Sequence, residues 1–244
     1  MQQLERIARE AAAEWGVELG PPFALSNYSY VAPAGDDAVL KVQLPDDEES
    51  DHEPDALRFW DGEGAVRLLR HDPSRKAMLL ERARPGTDLS GTRDDEAIPI
   101  ALGVARKLWR EPPAAAPFRS AWENSARWLV HYAADHPLRA RAEAALAGLE
   151  PRATVVVHGD FHHFNLLRQG DRWVAIDVKA AVGEPEYDVP SFLWNPIGIR
   201  LTRELFESRL DAFERAGLDR ARMRAWTLVR AVIQGFEEAL PLLG

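Results

Sequence analysis

The chain of 244 residues contains no cysteine, so disulfide bridges and thiolate metal sites are excluded. It has no run of about 18 apolar residues, the length a helix needs to cross a bilayer, so nothing in it reads as a membrane span. Lysine and arginine form no long block and the formal net charge is −9, which argues against nucleic acid or an anionic membrane surface as partner. The start, MQQLERIAREAAAEWG, lacks the basic opening and unbroken apolar stretch of a signal peptide, and a cytoplasmic protein is the expectation.

What is present suits a folded protein. Hydrophobic residues make up 46% and charged residues 28%, the latter mixed along the chain. That is enough for a substantial core, as one large domain or two small lobes. Leu4, Ile7, Ala8, Ala11, Ala12 and Trp15 recur at helical spacing, and Gly16 stops that helix. Residues 23–31 and 38–44 read as strands around turn chemistry at 33–37, a β-hairpin. An acidic loop, residues 45–54, reads as solvated, and Pro54 opens a helix with Ala56, Leu57, Phe59 and Trp60 on its apolar side. Residues 65–69 and 77–80 read as a second hairpin.

After a connector at 83–87 the character changes. Helical patterns cover 93–110, 119–134 and 137–149. A short strand at 155–157 precedes a polar loop, and Gln169-Gly170-Asp171 turns a further hairpin. Two long helices broken at Gly217 are expected from residue 200 to the end. The division expected is a first lobe over 1–82, a connector over 83–87 and a helical lobe over 88–244. The class is α+β, with a small antiparallel sheet in the first lobe.

The segment that carries chemistry is VVVHGDFHHFNLLRQGDRWVAID, residues 155–177. A buried-type strand delivers His158-Gly159-Asp160 to a loop, Asn165 follows five residues later, and a hairpin ends at Asp177, 17 residues after Asp160. Two carboxylates and an amide on short strand ends are hard oxygen ligands of the kind magnesium takes together with phosphate oxygens. Phosphoryl transfer asks little more of a protein than this metal charge and a group to orient the acceptor hydroxyl.

HGDFHHFN followed by IDVKAAVGEPEYD resembles the aminoglycoside phosphotransferase family, relatives of the protein kinases, whose pattern is HGDxxxxN and then IDxxxxxGxPxxD. Within the family the streptomycin 6-phosphotransferase branch is the most similar. The supporting stretches are AVLKVQLP at 38–45, LRFWDGEGAVRLL at 57–69, MLLERARPG at 78–86, HHFN at 162–165 and AWTLVR at 225–230, all in the family's order. The resemblance implies a two-lobed protein-kinase-like fold and an ATP- and magnesium-dependent kinase of a small-molecule hydroxyl, most readily a streptomycin-type aminoglycoside. It makes Asp160 the catalytic carboxylate and Asn165 and Asp177 the magnesium ligands. Lys41 pairs with the ATP phosphates, with Glu53 its candidate partner and Glu49 a competing one. Leu80 and Glu81 fall in the hinge that contacts adenine. Where protein kinases have a glycine-rich phosphate loop, this chain has Ser26-Asn27-Tyr28-Ser29-Tyr30, so Ser26 and Asn27 are the candidates there.

The acceptor pocket is expected from Lys179, Glu184, Glu186, Trp194, Asn195, Glu237 and Glu238, whose carboxylates suit a cationic substrate by ion pairing. His158 reads as a brace for the loop, and His162 and His163 as loop packing. The chain is expected to act as a monomer or homodimer. A kinase of another small metabolite or drug hydroxyl is one rival reading, and a non-catalytic nucleotide-binding regulator of the same fold is another; the intact Asp160, Asn165 and Asp177 argue against the second.

Overall fold

The computed structural model describes residues 1–24, 29–152 and 154–243. In chain order its elements are α1 (Gln2–Trp15), β1 (Ser29–Ala34), β2 (Ala38–Gln43), α2 (Glu53–Trp60), β3 (Leu68–Asp72), β4 (Ala77–Glu81), β5 (Pro85–Asp88), α3 (Asp94–Leu108), α4 (Ala121–Tyr132), α5 (Arg139–Ala147), β6 (Val155–Val157), β7 (Leu166–Gln169), β8 (Arg172–Ala175), β9 (Ala181–Gly183), α6 (Val189–Trp194), α7 (Arg203–Arg215) and α8 (Arg220–Gln234). The chain forms two compact units, Met1–Thr87 with Leu167–Lys179, and Asp88–Leu166 with Ala180–Gly244. The sequence reading puts residues 167–179 with the helical lobe. They pack instead with the first unit, because β7 and β8 join β5 in a three-stranded sheet.

In the first unit, four strands form an antiparallel sheet in the order β1-β2-β4-β3. The register sets Val31 opposite Lys41 and Lys41 opposite Met78. Strand side chains alternate between faces. Leu40 and Val42 therefore join Ala32, Ala77 and Leu79 in a core closed by Leu4, Ala8, Ala11 and Ala12 of α1. Helix α1 ends as its sequence dictates, with Gly16 in the left-handed conformation (φ 69°) and its N–H bonded back to the last turn. Strand β3 begins at Leu68 rather than at 65, because Ala65 bridges Ala175 of β8 and Val66 N–H donates to the Ala175 carbonyl.

The second unit is mostly helical. Strand β6 pairs antiparallel with β9, setting Val155 opposite Gly183 and Val157 opposite Ala181. A side chain at Gly183 would come within 3.1 Å of Ala121 Cβ and 3.3 Å of Val157, so glycine lets α4 approach this ladder without its neighbours giving way. Trp226 of α8 is fully buried, edge-on to Trp122 and to Tyr187. Arg209 of α7 is also buried. It grips Asp94 with two nitrogens at 2.7 and 2.8 Å and turns a third to the Phe192 and Leu193 carbonyls at the end of α6. Helix α8 stops at Gly235 (φ 66°), short of the chain end. No helix among the described residues is long and apolar enough to cross a membrane.

Candidate active site

In the first unit the chemistry follows from strand alternation. With Leu40 and Val42 turned to α1, Lys41 and Gln43 point to the opposite face, and both reach Glu53. Pro54 lies in the first turn of α2, where its missing N–H costs nothing, so the helix starts at Glu53. Lys41 Nζ lies 2.6 Å from Glu53 Oε2 and 2.6 Å from Asp177 Oδ1. Gln43 Nε2 donates to the same Glu53 oxygen at 2.8 Å and to the Ser50 carbonyl at 3.0 Å. Glu49 is exposed, so of the two candidate partners for Lys41 the structure places Glu53 against it. Burial works against the Lys41 ammonium, but the charges of Asp177 and Glu53 outweigh it and hold its pKa above the ordinary lysine value.

Asp177 follows β8 with φ at 55°, a conformation non-glycine residues seldom adopt, and its side chain is 42% exposed. Lys179 Nζ is 3.5 Å from the same Asp177 oxygen and also bonds Ser50 Oγ. Glu81 N–H and Arg82 N–H donate to the Arg67 and Asp37 carbonyls, and Leu80 is buried. Ser26 and Asn27 lie outside the described residues.

In the second unit, β6 ends in a loop that Asp188 holds from beneath. Asp188 is buried, and its carboxylate accepts His158 N–H at 3.0 Å, Gly159 N–H at 2.8 Å and the Trp109 indole N–H at 2.9 Å. Asp188 thus braces residues 158–159, some 30 positions earlier in the chain. Gly159 takes φ 85° so that the chain can turn there. His158 is buried, and its Nδ1 accepts Asp160 N–H at 3.2 Å.

Asn165 Nδ2 donates to the Asp160 carbonyl at 2.9 Å, which ties the amide to the loop through its nitrogen. His162 Nε2 stands 3.3 Å from Asp160 Oδ2. Burial alone would raise the Asp160 carboxyl, but the hydrogen bond and charge of His162, with Arg230 behind them, hold it below the usual carboxylate range. His163 is different. Both of its ring nitrogens are buried without a protein partner among the described residues, its ring stacks 4.0 Å from Phe192, and burial pushes its pKa down to about 3.

The acceptor candidates separate into engaged and open side chains. Glu184 is buried, with both oxygens 2.8 Å from Arg222 Nε and one 2.6 Å from the Trp226 indole nitrogen. It braces α8 and is not open to a ligand. Glu186 accepts the Asp219 N–H. Both border a cleft of about 760 Å³ that neither Asp160 nor Asn165 lines. Trp194 is buried and stacks 4.9 Å from Phe236, and Asn195 donates to the Ser191 carbonyl. Glu237 is largely exposed, 3.1 Å from His136, and Glu238 is exposed. The sequence shows nothing of the Glu184–Arg222 pair, since no local pattern links residues 38 apart.

Magnesium takes one or two protein oxygens and fills its octahedron with phosphates and water. The exposed Asp177 carboxylate and the amide oxygen of Asn165, freed by its committed nitrogen, are oxygens of that kind.

The family described as aminoglycoside/hydroxyurea antibiotic resistance kinase matches residues 24–238. A hydroxyurea phosphotransferase from Kitasatospora aureofaciens is 36% identical over 97% of this chain and 75% of its own. A streptomycin 6-kinase from Streptomyces glaucescens is 33% identical over 93% of this chain and 80% of its own. Among solved structures, a choline kinase from Streptococcus pneumoniae covers 99% of this chain and 90% of its own with a TM-score of 0.70 at 15% identity. A thermostable mutant aminoglycoside phosphotransferase in ternary complex with AMP-PNP and hygromycin B covers 97% and 95%, with a TM-score of 0.61 at 20% identity. The fold is therefore protein-kinase-like.

Proposed function

Since this chain belongs to the aminoglycoside/hydroxyurea antibiotic resistance kinase family, and is with it a phosphotransferase acting on a hydroxyl group, we propose that it moves the terminal phosphate of ATP onto a small-molecule hydroxyl, with streptomycin-type aminoglycosides as the substrate class. The observation that carries this reading is Asp160, held ionised at the end of β6 on a loop whose backbone is pinned by Asp188.

In this reading the acceptor hydroxyl donates to Asp160, which orients its oxygen towards the terminal phosphorus. A new oxygen–phosphorus bond forms, the bond to the bridging oxygen breaks, ADP leaves, and the hydroxyl proton passes late to Asp160. Asp177 and Asn165 would hold magnesium, which would supply positive charge to the phosphates when bound. Lys41, kept protonated by its two carboxylates, anchors the phosphates, and Glu53 and Gln43 fix its direction.

A second acceptor is favoured by the relative that phosphorylates hydroxyurea, whose acceptor oxygen sits on nitrogen. The experiment is ATP consumption across streptomycin, other aminoglycosides, hydroxyurea and simple alcohols, with Asp160→Ala beside the wild type. Turnover confined to aminoglycosides supports the first acceptor, and turnover on hydroxyurea alone the second. Turnover that survives in Asp160→Ala overturns the mechanism. Nucleotide binding with no turnover on any acceptor points to a regulator.

A further inference from the structure

The acidic stretch after β2 is a built turn. Asp47 Oδ1 accepts the N–H groups of Glu49 and Ser50, and Asp47 Oδ2 accepts the Ser50 hydroxyl at 2.6 Å. The Ser50 carbonyl is held by Gln43, and Lys76 reaches Asp51 at 2.9 Å. Onto this turn comes Lys179, only 17% exposed at its side chain, bonded to Ser50 Oγ. Its nitrogen also lies 3.9 Å from Asp47 Oδ2 and 3.5 Å from Asp177 Oδ1.

Asp177 Oδ1 thus faces two ammonium groups that are held very differently. Lys41 sits at 2.6 Å from each of two carboxylates, leaving it little freedom. Lys179 has one short hydrogen bond, to a neutral hydroxyl, and a long, weak one to Asp177 at 3.5 Å, while Asp47 stands beyond hydrogen-bond length at 3.9 Å. An ammonium carries three N–H donors, and those of Lys179 not taken by Ser50 have no optimal acceptor in the turn.

We propose that Lys179 is a second phosphate-binding lysine, directed at the terminal phosphate of the nucleotide and parked by the Asp47–Ser50 turn against Asp177 until that phosphate arrives. The inference rests on the reading of this site as a nucleotide site. A phosphate oxygen would offer Lys179 a stronger, charge-assisted acceptor than the Ser50 hydroxyl or the distant Asp177 oxygen. The charge that spreads over the transferred group in the transition state is what such a lysine stabilises. Lys41 and Lys179 then divide the phosphate chain between them. The turn at 47–50 becomes the element that sets where Lys179 waits.

The test measures magnesium-dependent binding of ADP and of AMP-PNP by titration calorimetry to wild type, Lys179→Met, Lys179→Arg and Ser50→Ala, with melting temperatures for each. Lys179→Met should weaken AMP-PNP by about tenfold while leaving ADP within about twofold, the size of one charge-assisted contact. Lys179→Arg should recover most of the difference, and kcat should fall in Lys179→Met with little change in KM for the acceptor. Ser50→Ala should shift the AMP-PNP to ADP ratio in the same direction by a smaller factor. Equal losses for both nucleotides, or a lowered melting temperature with the ratio unchanged, would overturn the proposal and leave Lys179 a structural residue. A wild type that binds both nucleotides with Lys179→Met unaltered refutes the lysine alone. A wild type that binds neither refutes the nucleotide reading along with it.

Discussion

Lys41 Nζ and Asp177 Oδ1 stand 2.6 Å apart although 136 residues separate them, and Glu53 closes on the same nitrogen from the other side. A buried cation between two carboxylates costs most when it alone is removed, because its partners stay behind uncompensated. Lys41→Met should lower stability by about 3–5 kcal/mol, read by urea denaturation, and reduce turnover by about a hundredfold or more. The double variant Lys41→Met/Glu53→Met removes charge from both sides and should recover much of the stability without recovering activity. The pH sign is fixed as well. The folded pKa of Lys41 lies above its unfolded value, so its contribution is complete below about pH 10 and is lost only as pH rises through the folded value. Between pH 6 and 9 it should add no slope.

Asp188, itself buried, gathers three N–H donors, two from the loop that carries Asp160 and one from Trp109. Asp188→Ala leaves all three donors unpaired. Unfolding should become easier by about 3 kcal/mol. The kinetic signature matters more: kcat should fall at least tenfold while nucleotide affinity holds, since Asp160 loses its placement and Lys41 does not. Trp109→Phe deletes one donor and should show the same split, more weakly.

Much of this was legible in the chain. The spacing of His158, Asp160, Asn165 and Asp177 reports a loop and a hairpin, which are local, and local spacing survives folding. What was hidden lies in contacts made at long range. Strand β5 contains Pro85 and Gly86, poor strand formers, and exists because β7 lies beside it. The acidic run at 46–51 reads as solvent-facing by composition, yet Asp47 and Ser50 are committed to backbone amides and to Lys179. Glu184 and Glu237 carry the same charge in the sequence. Only the fold distinguishes the first, locked to Arg222, from the second, largely in water.

That distinction can be tested directly. Glu184 meets Arg222 at two oxygens and is buried beside Trp226. Glu184→Gln leaves the Arg222 guanidinium buried and undercompensated, and should cost about 3 kcal/mol of stability. It should leave KM for a cationic acceptor unchanged, whereas a substrate-binding carboxylate would raise KM when neutralised. Thermal unfolding and acceptor KM measured on the same preparation separate the two roles.

His163 supplies a stability test that does not involve catalysis. Its ring is stacked on Phe192 and its two nitrogens are buried without a protein partner among the described residues, so the folded protein keeps it neutral, with a pKa of about 3 against an ordinary 6.5. The unfolded chain protonates this histidine as pH falls below about 6.5, while the folded chain does not. The unfolded state then binds the extra proton, and folding stability must drop as pH goes from about 6.5 towards about 3. His163→Phe keeps the stacked ring and removes the titrating group. The variant should match or exceed the wild type at neutral pH, because burying two unpaired ring nitrogens is itself unfavourable. Its stability, followed by denaturant unfolding from pH 7 to 4, should decline less steeply than that of the wild type. Parallel curves would show instead that the histidine is accessible to protons in the folded state.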